Sequence, residues 1–351
     1  MAKSKIVLIT ESLKMGGAEK IIASLARCLQ ESEVFQVSVI SFFNAYDERV
    51  AKMLKVHNVK VIFLNKRKGL DLRFYKRLKQ EITALQPDII HSHSIHNLKY
   101  LLPFRDKSSL VHTLHNDLNE HCGRMRTALY YFIFKYYKIA PINISNRLNL
   151  RFNRLQGAEV IFNGIELVFT KEVRRDKKQI LSVGRLERQK NHELLLQSFA
   201  IIKKEIPDAK LIIAGTGKRK EMLSKLSSEL GISNSVKFLG QRSDTNALMA
   251  FSGLFILSSK WEGMPLVLIE ALNNGCPVVA TNVGGIADVV DEKVGYLATL
   301  NAEDIARKAI KILHNPMLAE KISKDAKERA KIFSAKEMSE RYIQFYKKIL
   351  S

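Results

Sequence analysis

LFILSSKWEGMPLVLIEALNNG, residues 254–275, decides the fold. The stretch opens on an apolar run of strand length, LFILSS (254–259). After Pro265, apolar Leu266, Val267, Ile269, Ala271 and Leu272 recur with helical spacing, and Gly275 stands just past the last of them. Proline is favoured at the first position of a helix and glycine just after its end. The stretch therefore predicts strand, tight turn and a helix after Pro265. In an open parallel sheet such a turn lies at the carboxyl ends of the strands, where ligands bind. The free N–H groups of a helix start favour an anion there. Glu262 and Glu270 flank the same turn, so an anion-binding backbone carries two carboxylates.

The strand–helix alternation extends in both directions. The first half reads KIVLIT (5–10), a helix after GGAE, VSVISFF (37–43), VKVIFL (59–64), a helix near 70–85, DIIHSH (88–93), LVHTLH (110–115), a helix near 124–138, INIS (142–145) and EVIFNG (159–164). The second half begins afresh with ILSVGR (180–185), a helix near 191–206, KLIIAGTG (210–217), VKFLG (236–240), the opening stretch and PVVATNV (277–283). Strands alternating with helices argue for parallel, doubly wound sheets. The expected organisation is α/β: a Rossmann-like domain over 1–168, a linker over 169–177, a second Rossmann-like domain over 178–333 and a helix over 334–351. Sequence leaves open where that last helix packs.

The chain has 351 residues, 46% of them hydrophobic, and a formal net charge of +22. No run reaches the ~20 apolar residues of a membrane span, and the strand-like opening carries no secretory pattern. Cys28, Cys122 and Cys276 are far apart and odd in number, so reduced cytoplasmic thiols without a zinc spacing are expected. The charge fits nucleic acid, an anionic membrane surface or an anionic substrate. It is concentrated in KRKGLDLRFYKRLK (66–79) and in RMRTALYYFIFKYYKI (124–139), which mixes four cations with six aromatic rings. Each segment reads either as a solvated helix face or as a surface helix meeting anionic lipid.

Four groups of residues carry chemistry. KMGGAE (14–19) puts Gly16 and Gly17 between the first strand and helix, where glycine lets a ligand approach the backbone, although a plain tight turn needs the same residues. VGRLERQKN (183–191) puts Arg185 and Lys190 at the equivalent place in the second half, a fork and a point charge suited to a diphosphate. The third group is the opening turn. A carboxylate repels phosphate but accepts from vicinal hydroxyls with its two oxygens. Backbone N–H groups from Gly263, Met264, Pro265's turn, Leu266 and Val267 then take the diphosphate with Arg185 and Lys190, while Glu262 and Glu270 hold sugars on either side. That describes a nucleotide-sugar donor. The fourth group is the histidines. His91, His93, His96, His112 and His115 fall at two strand ends, with His115 as the last residue of its strand. Their spacing alone permits zinc, but no cysteine supports it and no metal is expected. His115 suits a sugar hydroxyl or developing charge.

Taken together, GGAE (16–19), HTLH (112–115), ISN (144–146), FNGI (162–165), VGRLERQKN, AGTG (214–217), FLG (238–240), EGMPLVLIE (262–270), PVVATNVGG (277–285) and VGYL (294–297) resemble the family 4 retaining glycosyltransferases of the GT-B fold. The resemblance covers nearly the whole chain and is tighter in the second half. It implies two Rossmann-like domains facing a cleft and α-linked transfer from a nucleotide-sugar, UDP-sugar by default, without an essential metal or other cofactor. It also implies a glycan or lipid-linked acceptor in cell-surface polysaccharide synthesis. By the same resemblance Glu270 meets the ribose, Glu262 the donor sugar's ring hydroxyls, Arg185 and Lys190 the diphosphate, Gly16 and Gly17 the β-phosphate, and His115 the sugar's outer hydroxyls. Asn116 and Asp117 follow His115 at positions where the family varies. The expected setting is cytoplasmic, with peripheral attachment to the inner membrane as a further expectation. Two competing readings are a non-hydrolysing UDP-sugar 2-epimerase on the same architecture and a basic nucleic-acid-binding protein. The E-x7-E pattern and the GGAE loop disfavour the first, and the ordered motif set without an RNA-binding aromatic signature disfavours the second.

Overall fold

The computed structural model describes residues 3–14, 16–67, 69, 71–168 and 174–351, without the side chains of Arg49 and His121. Part of the expected linker (169–173), and Lys68 and Leu70 of the basic segment, lie outside the described residues. The chain divides into two units, Met1–Glu166 with Ala335–Ser351, and Leu167–Ser334.

The first unit holds a parallel sheet of β1 (Ser4–Thr10), β2 (Phe35–Ser41), β3 (Lys60–Phe63), β4 (Ile89–Ser92), β5 (Ser109–Leu114), β6 (Ala140–Asn143) and β7 (Glu159–Val160). Its order is β3-β2-β1-β4-β5-β6-β7. The second holds β8 (Asp176–Val183), β9 (Lys210–Ala214), β10 (Val236–Gly240), β11 (Ser252–Leu257), β12 (Val278–Thr281) and β13 (Gly295–Ala298), in the order β10-β9-β8-β11-β12-β13. Strands such as IVLI in β1 and LFIL in β11 are apolar throughout because helices cover both faces of a parallel sheet. Ile6 to Ile9 and Leu254 to Leu257 are all buried accordingly.

In both sheets the order reverses beside the first strand, between β1 and β4 and between β8 and β11. These switch points open a crevice beyond the strands' carboxyl ends. The loop after β8 carries Arg185 and Lys190, and the loop after β11 carries Glu262, so the topology alone makes these loops neighbours.

The Ala335–Leu350 helix belongs to the first unit. Its Tyr342 and Tyr346 are fully buried. Tyr346 OH lies 2.6 Å from His91 Nδ1, and Tyr342 OH lies 3.1 Å from Thr113 Oγ1, which is 2.8 Å from His91 Nε2. The four side chains satisfy one another inside the unit, as buried polar groups must. The Ala335 amide also donates to the Ile165 carbonyl at 2.8 Å.

Candidate active site

In the second unit the two loops at the switch point are joined by hydrogen bonds. The Lys260 amide donates to the Gln189 carbonyl at 2.8 Å, and Gln189 Nε2 donates to the Trp261 carbonyl at 3.0 Å. Ser258 Oγ lies 3.0 Å from the carbonyls of Lys190 and Asn191. Asn191, in a left-handed conformation at φ 51°, turns the chain into the His192–Glu205 helix.

Lys190 and Glu262 meet across this seam at 2.5 Å, with side chains only 14% and 7% exposed. Ser259 Oγ donates to the same Glu262 oxygen at 2.6 Å. The expected division, a lysine on phosphate and a glutamate on sugar, is here a closed ion pair in which each charge has an opposite partner. Arg185 differs. It is exposed, and its contact to Gln189 Oε1 is a long 3.5 Å.

The helix after the turn is Leu266–Asn273, with Pro265 as its extended N-cap and no side-chain cap. Pro265 thus stands immediately before the first helical residue, and the helix begins after it as the sequence reads. A helix start leaves its first amides without intrahelical partners, and proline has no side chain to cap them. Glu270 sits in the second turn, half-buried. The turn itself is held from behind. Gly284, at φ 55°, stands so close that a Cβ there would overlap the Glu262 carbonyl oxygen. The Gly285 amide donates to the Gly263 carbonyl at 2.9 Å. Gly284→Ala should therefore cost about 2 kcal/mol or more, from the left-handed backbone and the displaced turn together. Urea unfolding measures this, and a variant as stable as wild type would show that the turn does not depend on that approach.

His192, buried beside Lys190, has its pKa lowered to about 4 by burial and then by the Lys190 and Arg219 cations. It is a neutral imidazole at pH 7.

In the first unit, Gly16 is the N-cap of the Gly17–Glu31 helix, extended and without a side-chain cap. The Glu19 carboxylate folds back against Gly16, where a Cβ would overlap it. This is a capping-box geometry with glycine in the capping place, so the helix start already carries an anion of its own. Sequence reading expected Gly16 and Gly17 to present an open anion site. Ser94 Oγ donates to Glu11 Oε1 at 2.7 Å across the same switch point.

His115 is one residue beyond β5 rather than its last residue. Its Nε2 lies 3.0 Å from His93 Nδ1, with the two rings stacked, so one ring donates and the other accepts. Burial lowers the pKa of His115 to about 4 and that of His112 to about 3. Burial, and then neighbouring histidines, hold His91 and His93 well below their ordinary range. A neutral His115 can still donate one hydrogen bond to a hydroxyl. Asp117 caps the short Leu118–Cys122 helix through the Asn119 amide, and Asn149 donates to the Asn116 carbonyl, which gives both residues after His115 structural work.

The family model described as Glycosyl transferases group 1 matches residues 165–329, and the model described as Glycosyltransferase Family 4 matches residues 15–167. The chain belongs to these glycosyltransferases.

An N-acetylgalactosamine-N,N'-diacetylbacillosaminyl-diphospho-undecaprenol 4-alpha-N-acetylgalactosaminyltransferase of Campylobacter jejuni is 34% identical to this glycosyltransferase over 50% of the chain and 49% of that protein. A UDP-Gal:alpha-D-GlcNAc-diphosphoundecaprenol alpha-1,3-galactosyltransferase of Escherichia coli is 27% identical over 66% of the chain and 67% of that protein. The chain spans about half the length, or less, of the first curated relatives it matches. The crystal structure of Anabaena HepE in complex with UDP and glucose aligns with a TM-score of 0.81 over 98% of this chain and 100% of that one, at 21% identity. At that identity the likeness fixes the fold, GT-B.

In the glycosyltransferase, sequence reading had passed over the residues that fix Glu262: Ser258, Ser259, Gly284 and Thr281, whose Oγ1 donates to the Ser259 carbonyl at 2.6 Å. The available signals were the paired serines closing β11 and the diglycine after β12.

Proposed function

We propose that this glycosyltransferase moves a sugar from a nucleoside-diphosphate sugar, a UDP-sugar, to a glycan or lipid-linked glycan acceptor, with retention and formation of an α-glycosidic bond. The observation carrying this is the seam at the β8/β11 switch point. There an exposed guanidinium, a lysine and an uncapped helix start adjoin a buried, serine-held carboxylate. A diphosphate matches the Arg185 fork and the helix-start amides. Its arrival draws Lys190 toward phosphate, and Glu262 is then an acceptor for the donor sugar's hydroxyls. Glu270 takes the ribose. By the resemblance, Gly16, Gly17 and His115 serve the β-phosphate and the sugar, with Glu19 turning away from Gly16.

The acceptor hydroxyl bonds to the anomeric carbon on the face the nucleotide leaves, as the bond to the β-phosphate oxygen breaks. The acceptor proton passes to that departing oxygen. Arg185, Lys190 and the helix-start amides stabilise the leaving diphosphate, an electrostatic task that these cations perform without a metal.

The acceptor is read as lipid-borne. The Campylobacter and Escherichia relatives act on diphospho-undecaprenol-linked substrates by name, and no helix among the described residues is long and apolar enough to cross a membrane. Peripheral attachment through the basic first unit, at the cytoplasmic face of a bacterial inner membrane, fits both. Neither the epimerase nor a nucleic-acid-binding role draws support from these relatives.

Calorimetry with UDP and other nucleoside diphosphates, with a donor-hydrolysis screen, tests the proposal. Glu270→Gln should lose affinity for bare nucleotide. Glu262→Gln should bind bare nucleotide at least as well as wild type, since Lys190 loses its competing anion, yet turn over the full donor slowly. Equal loss of nucleotide binding in both variants would show that the two carboxylates do not divide the donor between them. A chain that binds no nucleoside diphosphate is not this enzyme.

A further inference from the structure

The Arg124–Tyr136 helix carries an apolar crest that faces solvent. Met125, Leu129, Phe132 and Tyr136 are 86%, 59%, 59% and 72% exposed. At about 100° per residue these four fall within an arc of about 60°. Thr127 and Phe134, the buried residues of the same helix, lie on the opposite side. Exposed Arg126 stands on one flank of the crest, and exposed Arg124 and Lys135 on the other. From outside the helix, the Arg151 and Arg105 guanidiniums lie 6.0 and 5.8 Å from the ring centres of Phe132 and Tyr136. The surrounding sequence has one sign only: residues 121–158 contain seven Lys/Arg and no Asp or Glu.

Helical packing puts apolar side chains inward, so four large ones aligned on the outer face oppose the folding of an isolated unit in water. A second copy of the chain would bring like cations face to face around the crest. A surface that is apolar at depth and anionic at its rim matches both features. An interfacial helix lies in the headgroup plane with its apolar face inserted and its cations among the headgroups. We propose that the Arg124–Tyr136 helix inserts Met125, Leu129, Phe132 and Tyr136 into an anionic bilayer, with Arg124, Arg126, Lys135 and Arg151 pairing with lipid phosphates. This deepens, and rests on, the reading of a membrane-borne acceptor, and it assigns the attachment to insertion as well as charge. Charge alone is screened by salt, whereas apolar insertion is not.

The test is sedimentation of the full chain with phosphatidylglycerol or phosphatidylcholine vesicles at low and high salt. Wild type should bind phosphatidylglycerol and retain part of that binding at high salt. Leu129→Ser combined with Phe132→Ser should weaken it about ten-fold or more. Phe132→Trp should gain blue-shifted emission with phosphatidylglycerol vesicles only. Wild type that ignores these vesicles overturns the proposal. So does binding abolished by salt and unaffected by the double serine variant, which leaves charge alone. So does a lipid-free dimer that the serine variant turns into monomer, which makes the crest a subunit interface. UDP affinity of both variants, expected to be unchanged, reports that they fold. Failure of wild type to bind any nucleotide would instead strike at the enzyme reading, so the two failures are distinguishable.

Discussion

Lys190→Ala should destabilise the second unit by about 2–4 kcal/mol, whereas Arg185→Ala should leave its stability unchanged and weaken nucleoside-diphosphate binding about 10–150-fold. The two cations stand on the same loop, and sequence treats them alike. Lys190, however, faces Glu262 at 2.5 Å in a seam that buries both side chains. Removing one partner of a buried pair leaves the other charge uncompensated, which costs more than the pair itself contributes. Ser259 still donates to Glu262 at 2.6 Å, which keeps the loss below the upper end of that range. Arg185 is exposed and leaves no such orphan. Urea unfolding separates the two variants, and calorimetry with UDP measures the binding loss. Lys190→Met combined with Glu262→Gln should recover most of the stability of Lys190→Ala without recovering turnover. Equal stability of Lys190→Ala and Arg185→Ala would remove the ion pair from the architecture of the site.

The second expected result is that acid unfolds the first unit before the second. His112 keeps a pKa of about 3 and His115 about 4 in the folded chain, against about 6.5 unfolded. A histidine held neutral binds its proton in the unfolded chain first. Stability is therefore whole above about pH 6.5 and falls as pH drops toward the folded pKa, by about 1.4 kcal/mol per pH unit for each histidine. By pH 4 that is on the order of 3 kcal/mol from His112 alone. The first unit concentrates four such rings, His91, His93, His112 and His115, against His192 in the second. Hydrogen exchange at pH 7 and pH 5, followed by mass spectrometry, resolves the units. Exchange should rise first in peptides spanning β4 and β5. His112→Leu should flatten the acid limb, and an unchanged limb in that variant would refute the linkage.

Much of this was legible in the sequence because parallel strands buried on both faces write themselves as short, continuous apolar runs. KIVLIT, ILSVGR and LFILSS each became a strand within a few residues of the expected place. The switch-point loops followed from the same alternation. What sequence could not give were pairings between residues far apart in the chain. Glu262 and Lys190 are both charged loop residues with several partners available, and only the closed seam shows that they choose each other. Glu19 reads as an ordinary first-turn acid until its carboxylate is found against Gly16. The amphipathic pattern of 335–350 announces a buried face without saying what buries it, and the answer depends on two tyrosine hydroxyls meeting His91 and Thr113.

That last pairing bears on how the chain is made. Domains generally fold as units during synthesis, in order from the N-terminus. Here the first sheet leaves the ribosome early, but His91 and Thr113 wait for Tyr342 and Tyr346, more than 200 residues later. The second unit, contiguous from Leu167 to Ser334, is complete before they arrive. The nascent first unit therefore passes the time of about 170 further peptide bonds with a polar gap in its interior, at roughly 5–20 residues per second. Its exposure to chaperones and proteases is set by the length of the insert rather than by its own stability.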